Sequence, residues 1–229
     1  MKKKIFSIIL ARGGSKGIKN KNLIKFNRKP LIYWTIKQSL ISKNIDEVWV
    51  SSDSKKILNY AKKVGAKTLL RPTKFSKDDS TSESAWTHAI NNIENIDIKK
   101  DLVIAPQLTS PLRSNADFDK AINLFIKKKS DSLFSGFFFE IFFNWKYLTK
   151  KITPNYDLKK RRRRQNLSKS IIENGSFYIF KINGFLKNQN RLFGEISCYI
   201  MPKAKSFQID EKEDLKFLNI LSSNDKNLK

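Results

Sequence analysis

Cysteine and histidine are almost missing from this chain of 229 residues. Cys198 is the single cysteine, so no intrachain disulfide can form, and with His88 the single histidine no Cys/His metal cluster can either. Long apolar runs are missing too; none approaches the roughly 20 residues that a membrane helix needs. The opening MKKKIFSIILARGG begins with cations, but its apolar run, Ile5 to Ala11, contains Ser7 and leads to no small-residue cleavage site. No signal peptide is therefore expected, and a reducing cytoplasm is the expected location. Acids are scarce: 21 Asp and Glu stand against 46 Lys and Arg, a net charge of +25. That excess attracts polyanions, nucleoside triphosphates included. It does not by itself make a nucleic-acid-binding protein, because lysines fall on most helix faces and in loops. Arg161 to Arg164 is the one concentrated block, and no aromatic residues are interleaved with it as stacking platforms. The different-class alternative, a non-catalytic basic nucleic-acid binder, is disfavoured on those grounds.

What is present reads as one α/β domain over residues 1–229. Ile5–Leu10 is a buried strand ending at a glycine turn. Pro30 opens a helix over LIYWTIKQSL; EVWVSS (Glu47–Ser52) is a second strand; Asp53 or Ser54 caps a helix Lys55–Val64 that Gly65 ends. AKTLL, a helix near Ser84–Ile93, the strand Leu102–Ala105, a helix Asp117–Lys129 and SLFS continue the alternation. Alternating strands and helices predict a mostly parallel sheet with helices on both faces. From about Gly136 to Ile172 the pattern breaks into an aromatic block and a basic, core-poor stretch, read as a β-rich excursion from the sheet. GSFYIF, ISCYI and a helix Glu211–Leu221 resume it.

Glycine is sparse, eight in all, yet three lie in ILARGGSKGIKNKNL together with four cations. This loop follows the first strand, and open parallel sheets bind ligands at the carboxyl ends of their strands. Gly13, Gly14 and Gly17 allow positive φ and close approach, so amides can line an anion cavity, with Arg12, Lys16 and Lys21 adding charge. The spacing is neither GxxxxGK[ST] nor GxGxxG.

ARGGSKGIKNKN, VWVSSDS, LLRP, SKDDSTSES, QLTSPLR, RRQN with ENGSFYIF, and QIDEKEDL occur in that order over about residues 5–220. Together they resemble the cytidylyltransferases that activate sialic acids, the CMP-N-acylneuraminate synthetases. The resemblance implies a nucleotidyltransferase-type α/β fold, a homodimer joined through the excursion, Mg²⁺, and transfer from CTP to an acidic nine-carbon sugar with release of pyrophosphate. N-acylneuraminate is the main expectation for that sugar; legionaminic, pseudaminic or another acidic sugar is the alternative.

Residue by residue, it implies a triphosphate site of Arg12, Gly13, Gly14, Ser15, Lys16 and Lys21. Asn22, Arg71 and Ser82 would lie near the nucleoside, although Ser82 also suits a helix cap. Gln107, Lys146, Arg164, Gln165 and Asn174 would lie on the sugar side, and Asp210 would be metal ligand and catalytic organiser. Lys19 stands where the family commonly has proline, and Gln208 where it often has the first aspartate of DID. Asp210 with Glu213 also suits a capping box, and Asp53 reads as a cap. Arg113 is left ambiguous between site and structure; Thr109 to Pro111, His88 and Cys198 read as structural.

Overall fold

In the computed structural model, which describes residues 3–14, 17–140, 145–160, 163 and 169–222, the first apolar run becomes the central strand. Residues of this strand, β1 (Ile5–Leu10), point alternately to two layers, as a pleated strand requires. Phe6 and Ile8 meet α3 (Ser82–Asn92) and α5 (Ile182–Asn188) through Trp86, Ile90 and Phe185. Ile9 meets α1 (Leu31–Ile41) and α2 (Lys55–Val64), and Ile5 joins the cluster of α4 (Asn115–Lys127). Ser7 shares the second face and its Oγ lies 3.0 Å from Ser39 Oγ of α1, so the one polar residue of the strand is satisfied.

β1 pairs in parallel with β4 (Glu47–Ser52) and β6 (Leu102–Pro106), and β5 (Lys67–Leu70) extends the β4 side. Two short hairpins stand apart: β2 (Lys25–Phe26) with β3 (Lys29–Pro30), and β8 (Trp145–Leu148) with β9 (Lys151–Pro154). Beyond β6 lie β10 (Lys169–Lys181), β7 (Ser132–Glu140) and β11 (Ile196–Ile200), completing the order β11-β7-β10-β6-β1-β4-β5. Only β10 runs against its neighbours. The sheet is mostly parallel with helices on both faces, as expected.

The excursion begins later than the sequence pattern places it. β7 runs on to Glu140 and β10 already starts at Lys169, paired from Lys169↔Glu140 to Glu173↔Gly136. The aromatic block is the reason: Phe137 and Phe139 alternate with Phe138 and stack edge-on at 6.2 Å along one face of the strand. The register then shifts between Glu173 and Tyr178, a bulge in which Gly175 takes φ +61°, a backbone that favours glycine.

Arg113, which the sequence left ambiguous, is structural. Its side chain is 1% exposed, and its Nη1 donates to the carbonyls of Gln107, Ser110 and Ser176 at 2.7, 2.8 and 3.2 Å. Nη2 donates to Thr35 Oγ1 at 2.6 Å. Burial lowers the guanidinium pKa to about 9, with Asp117 opposing, so the group stays charged at neutral pH. One side chain thus joins the end of β6, the β10 bulge and α1. Arg113→Met should leave buried carbonyls without donors and cost on the order of 3 kcal/mol. Urea denaturation would read it, and a loss within experimental error would refute the bolt.

Candidate active site

The carboxyl ends of β1, β5 and β6 and the first turn of α3 surround a cavity of about 340 Å³. Its walls include Arg12, Gly17, Lys21, Asn22, Arg71, Ser82 and Gln107, which the sequence expectations had placed in the loop, nucleoside and sugar sets. Cavities of this size suit a small ligand, and this one lies where open parallel sheets place theirs.

The loop after β1 is held from two sides. Asp53 Oδ1 accepts the Gly13 N–H at 2.8 Å, and Asn22 Nδ2 donates to the Arg12 carbonyl at 2.8 Å. Asp53 is therefore a loop anchor, not the expected cap; the N-cap position of α2 belongs to Ser54, without a side-chain bond. None of Gly13, Gly14 and Gly17 has positive φ, contrary to expectation. At Gly17 the requirement is space: a Cβ there would stand 2.8 Å from the Asp210 carbonyl oxygen. Ser15 and Lys16 lie outside the described residues.

Two exposed ion pairs line the mouth. Arg12 Nη1 meets Asp78 Oδ1 at 3.0 Å, and Lys21 Nζ meets Asp210 Oδ1 at 2.8 Å. Lys21 also donates to the Ile209 carbonyl at 3.1 Å. Asp210 is held at the rim because the Ile209 N–H donates to the Thr109 carbonyl at 2.8 Å, tying this segment to the loop after β6. The expected Asp210–Glu213 capping box is not formed. Asp214 Oδ2 instead accepts the N–H groups of Asp210 and Glu211 at 2.9 and 2.8 Å, ahead of α6 (Lys212–Ser222), which leaves the Asp210 carboxylate outside the cap.

Arg71 is different from both rim cations. It is 3% exposed, its Nε donates to Ser76 Oγ at 2.9 Å, and no partner for its buried Nη1 stands among the described residues. Burial lowers its pKa; Asp53 offsets part of that, and Arg12 adds to it. An orphaned buried donor on a cavity wall is costly unless a ligand accepts from it. Ser82 is not the cap of α3 either: Thr81 Oγ1 accepts the Ser84 N–H at 3.1 Å, so Ser82, first in the helix, is spared that role. The first turn of α3 faces the cavity with amides and a positive dipole end, which favour an anion.

Gln107 follows β6, its N–H bonded to Ser176 O at 2.9 Å and its side chain on the cavity wall. Asn174 departs from its expected place on the sugar side. It is 5% exposed, with Oδ1 accepting from Ser135 Oγ and the Ser176 N–H, and Nδ2 donating to Ser206 Oγ. Both ends of the amide are spent on holding the β10 bulge. Lys146 is exposed on the β8–β9 hairpin and does not line the cavity. Arg164 and Gln165 lie outside the described residues. Cys198 is half-buried, and burial followed by the Glu173 charge raises its pKa to about 11, so it is no nucleophile. The ring of His88 lies 5.1 Å from that of Phe75, a packing contact.

The sequence reading missed Asp53, Asp78 and Thr81 as parts of the site. Asp78 and Thr81 do stand in the SKDDSTSES stretch, but nothing in the pattern says which acid reaches Arg12, 66 residues away.

Residues 6–228 match the cytidylyltransferase family model. A pseudaminic acid cytidylyltransferase of Campylobacter jejuni is 32% identical over 218 residues, which cover 93% of this chain and 94% of that protein. An N-acylneuraminate cytidylyltransferase of Oncorhynchus mykiss is 35% identical over 184 residues, 78% of this chain and 41% of that longer protein. A solved CMP:2-keto-3-deoxy-manno-octonic acid synthetase complexed with CTP superposes with a TM-score of 0.69 over 95% of this chain and 98% of its own, at 14% identity, a likeness of fold. With a cationic cavity at the strand ends and a family match along nearly its whole length, the chain belongs to the cytidylyltransferase family and is a nucleotidyltransferase.

Proposed function

We propose that this enzyme transfers the cytidylyl group of CTP to a nonulosonic acid, N-acylneuraminate or pseudaminic acid. The acceptor's anomeric hydroxyl attacks the α-phosphorus, the bond to the β-phosphate oxygen breaks, pyrophosphate leaves and the hydroxyl proton passes to solvent. The carrying observation is the convergence of Arg12, Lys21 and the partnerless Arg71 Nη1 on one cavity at the first turn of α3. Pseudaminic acid is favoured as the second reading because a relative of that name aligns along 94% of its own length.

Arg12 and Lys21 exchange Asp78 and Asp210 for phosphate oxygens. The exposed Arg12–Asp78 pair is worth only about 0–1 kcal/mol, so its exchange is cheap, and Lys21 is half-buried but faces a solvent-exposed Asp210. Their charges then oppose the negative charge growing on the departing pyrophosphate. Arg71 Nη1 donates to an acceptor of the nucleoside, and Ser82 and Gln107 complete the polar wall, Gln107 towards the sugar. Asp210 suits Mg²⁺: it is an oxygen donor, 62% exposed at the rim, and Mg²⁺ is commonly held by one or two carboxylates with phosphate oxygens and water. When bound, the ion supplies further positive charge to the triphosphate.

With CTP and a panel of nonulosonic acids, the enzyme should release pyrophosphate and form a CMP-sugar whose mass identifies the acceptor. Arg12→Ala should lower kcat by about 10²- to 10³-fold, as loss of one transition-state donor does elsewhere, whereas Lys63→Ala, on the exposed side of α2, should not. Equal turnover of ATP, or equal behaviour of the two variants, would remove the assignment.

Asp210→Asn should weaken the Mg²⁺ dependence and lower activity while leaving the melting temperature nearly unchanged, because Asp214 makes the cap. An unaltered Mg²⁺ titration would return Asp210 to pairing with Lys21 alone.

The homodimer contact is assigned to the excursion and the strand ends of β7 and β10 that carry it, where Phe138, Tyr147, Ile152 and Ile171 are 53, 76, 58 and 44% exposed. Ile152→Lys should shift sedimentation towards the monomer; an unchanged profile would place the contact elsewhere.

A further inference from the structure

A second arginine cluster lies one layer behind the cavity. Leu10 and Ala85 line the cavity, and Leu10 packs against the apolar cluster that contains Trp86 and Tyr178. Between those two rings sits Arg191, from the segment joining α5 to β11. Its guanidinium carbon is 4.8 Å from each ring centroid, a cation held between two π faces. Its Nε lies 2.7 Å from Glu83 Oε1, and the two side chains are 23 and 20% exposed.

Glu83 is the one acidic residue in the first turn of α3. Ser82 and Ala85, three apart, share the helix face that meets the cavity; Glu83 and Trp86, also three apart, share the adjacent face that meets Arg191. A carboxylate at this position favours the helix, but unpaired it would repel a polyanion arriving one residue away. Tyr178, the second ring of the stack, donates its hydroxyl proton to Glu173 and is itself 5% exposed, so the platform under Arg191 is fixed.

We propose that Arg191 is a positioning residue for the nucleotide: it neutralises Glu83 and holds it on the face of α3 turned away from the cavity, so that the triphosphate meets a helix N-terminus free of unpaired negative charge. The inference rests on the assignment of the cavity to CTP.

The test is a charge cycle read as KM and kcat for CTP, with direct CTP binding alongside. Arg191→Met should raise KM by about tenfold, the size expected for one unscreened charge at this range, and leave kcat nearly unchanged. Adding Glu83→Gln to that variant should return KM close to the wild-type value, although the ion pair is still absent. Arg191→Lys should stay near wild type. A clamp that acts only by packing predicts the reverse, a double variant no better than the single one, and that result would overturn the proposal. So would an unmoved KM in Arg191→Met. Should the methionine variant not fold, Arg191→Gln keeps a donor towards Glu83 without the charge and carries the same comparison. Wild-type protein that binds no CTP would remove the proposed function and this inference together; wild-type binding with an unresponsive cycle would remove the inference alone.

Discussion

The guanidinium of Arg113 fixes the floor on which the site stands. Its hydrogen bonds reach the carbonyls of Gln107 and Ser176 and the hydroxyl of Thr35, so the end of β6, the bulge of β10 and helix α1 have one shared donor. Gln107 takes its place on the cavity wall from that junction, and the Thr109 carbonyl two residues on receives the Ile209 N–H. The position of Asp210 beside Lys21 therefore follows, through a short chain of hydrogen bonds, from a residue that touches no ligand. A buried charge is tolerated there because both terminal nitrogens find acceptors.

Burial sorts the arginines of this molecule into different roles. Arg113 has both terminal nitrogens bonded to other parts of the protein and serves the fold. Arg71 is also buried, but its terminal Nη1, without a partner among the described residues, stands on the cavity wall. Arg12 is more than a third exposed and paired with an exposed acid, so it can change partner at little cost. The same side chain is a bolt, a waiting donor or an exchangeable counterion, depending on solvent and on the number of acceptors within reach.

That sorting explains which features were legible in the sequence. Local periodicity and turn chemistry carried β1, β4, α2 and the Gly65 ending, because each depends on neighbours a few residues away. The loop of Arg12, Lys21 and Asn22 was legible as a cluster because the chain itself brings those residues together. Arg113 was not, since its acceptors come from three separate elements. Asp53 was misread because the residue after a strand and before a helix suits a cap; only the fold shows that Gly13, 40 residues earlier, claims its carboxylate. Asn174 was misread in the opposite sense, as its amide is consumed by Ser135 and Ser206. The reversal of β10 was hidden because buried strands read alike in either direction.

That reversal settles where the insertion between β7 and β10 leaves and rejoins the sheet. β7 runs with β6 and β1, and β10 runs against them, so the end of β7 at Glu140 and the start of β10 at Lys169 lie together on the side of the sheet where the cavity opens. A parallel β10 would have required the intervening chain to cross to the opposite edge and begin there. With one strand turned round, the chain leaves and returns along a single antiparallel ribbon. The direction of one strand thus brings both ends of the insertion to the same side of the sheet.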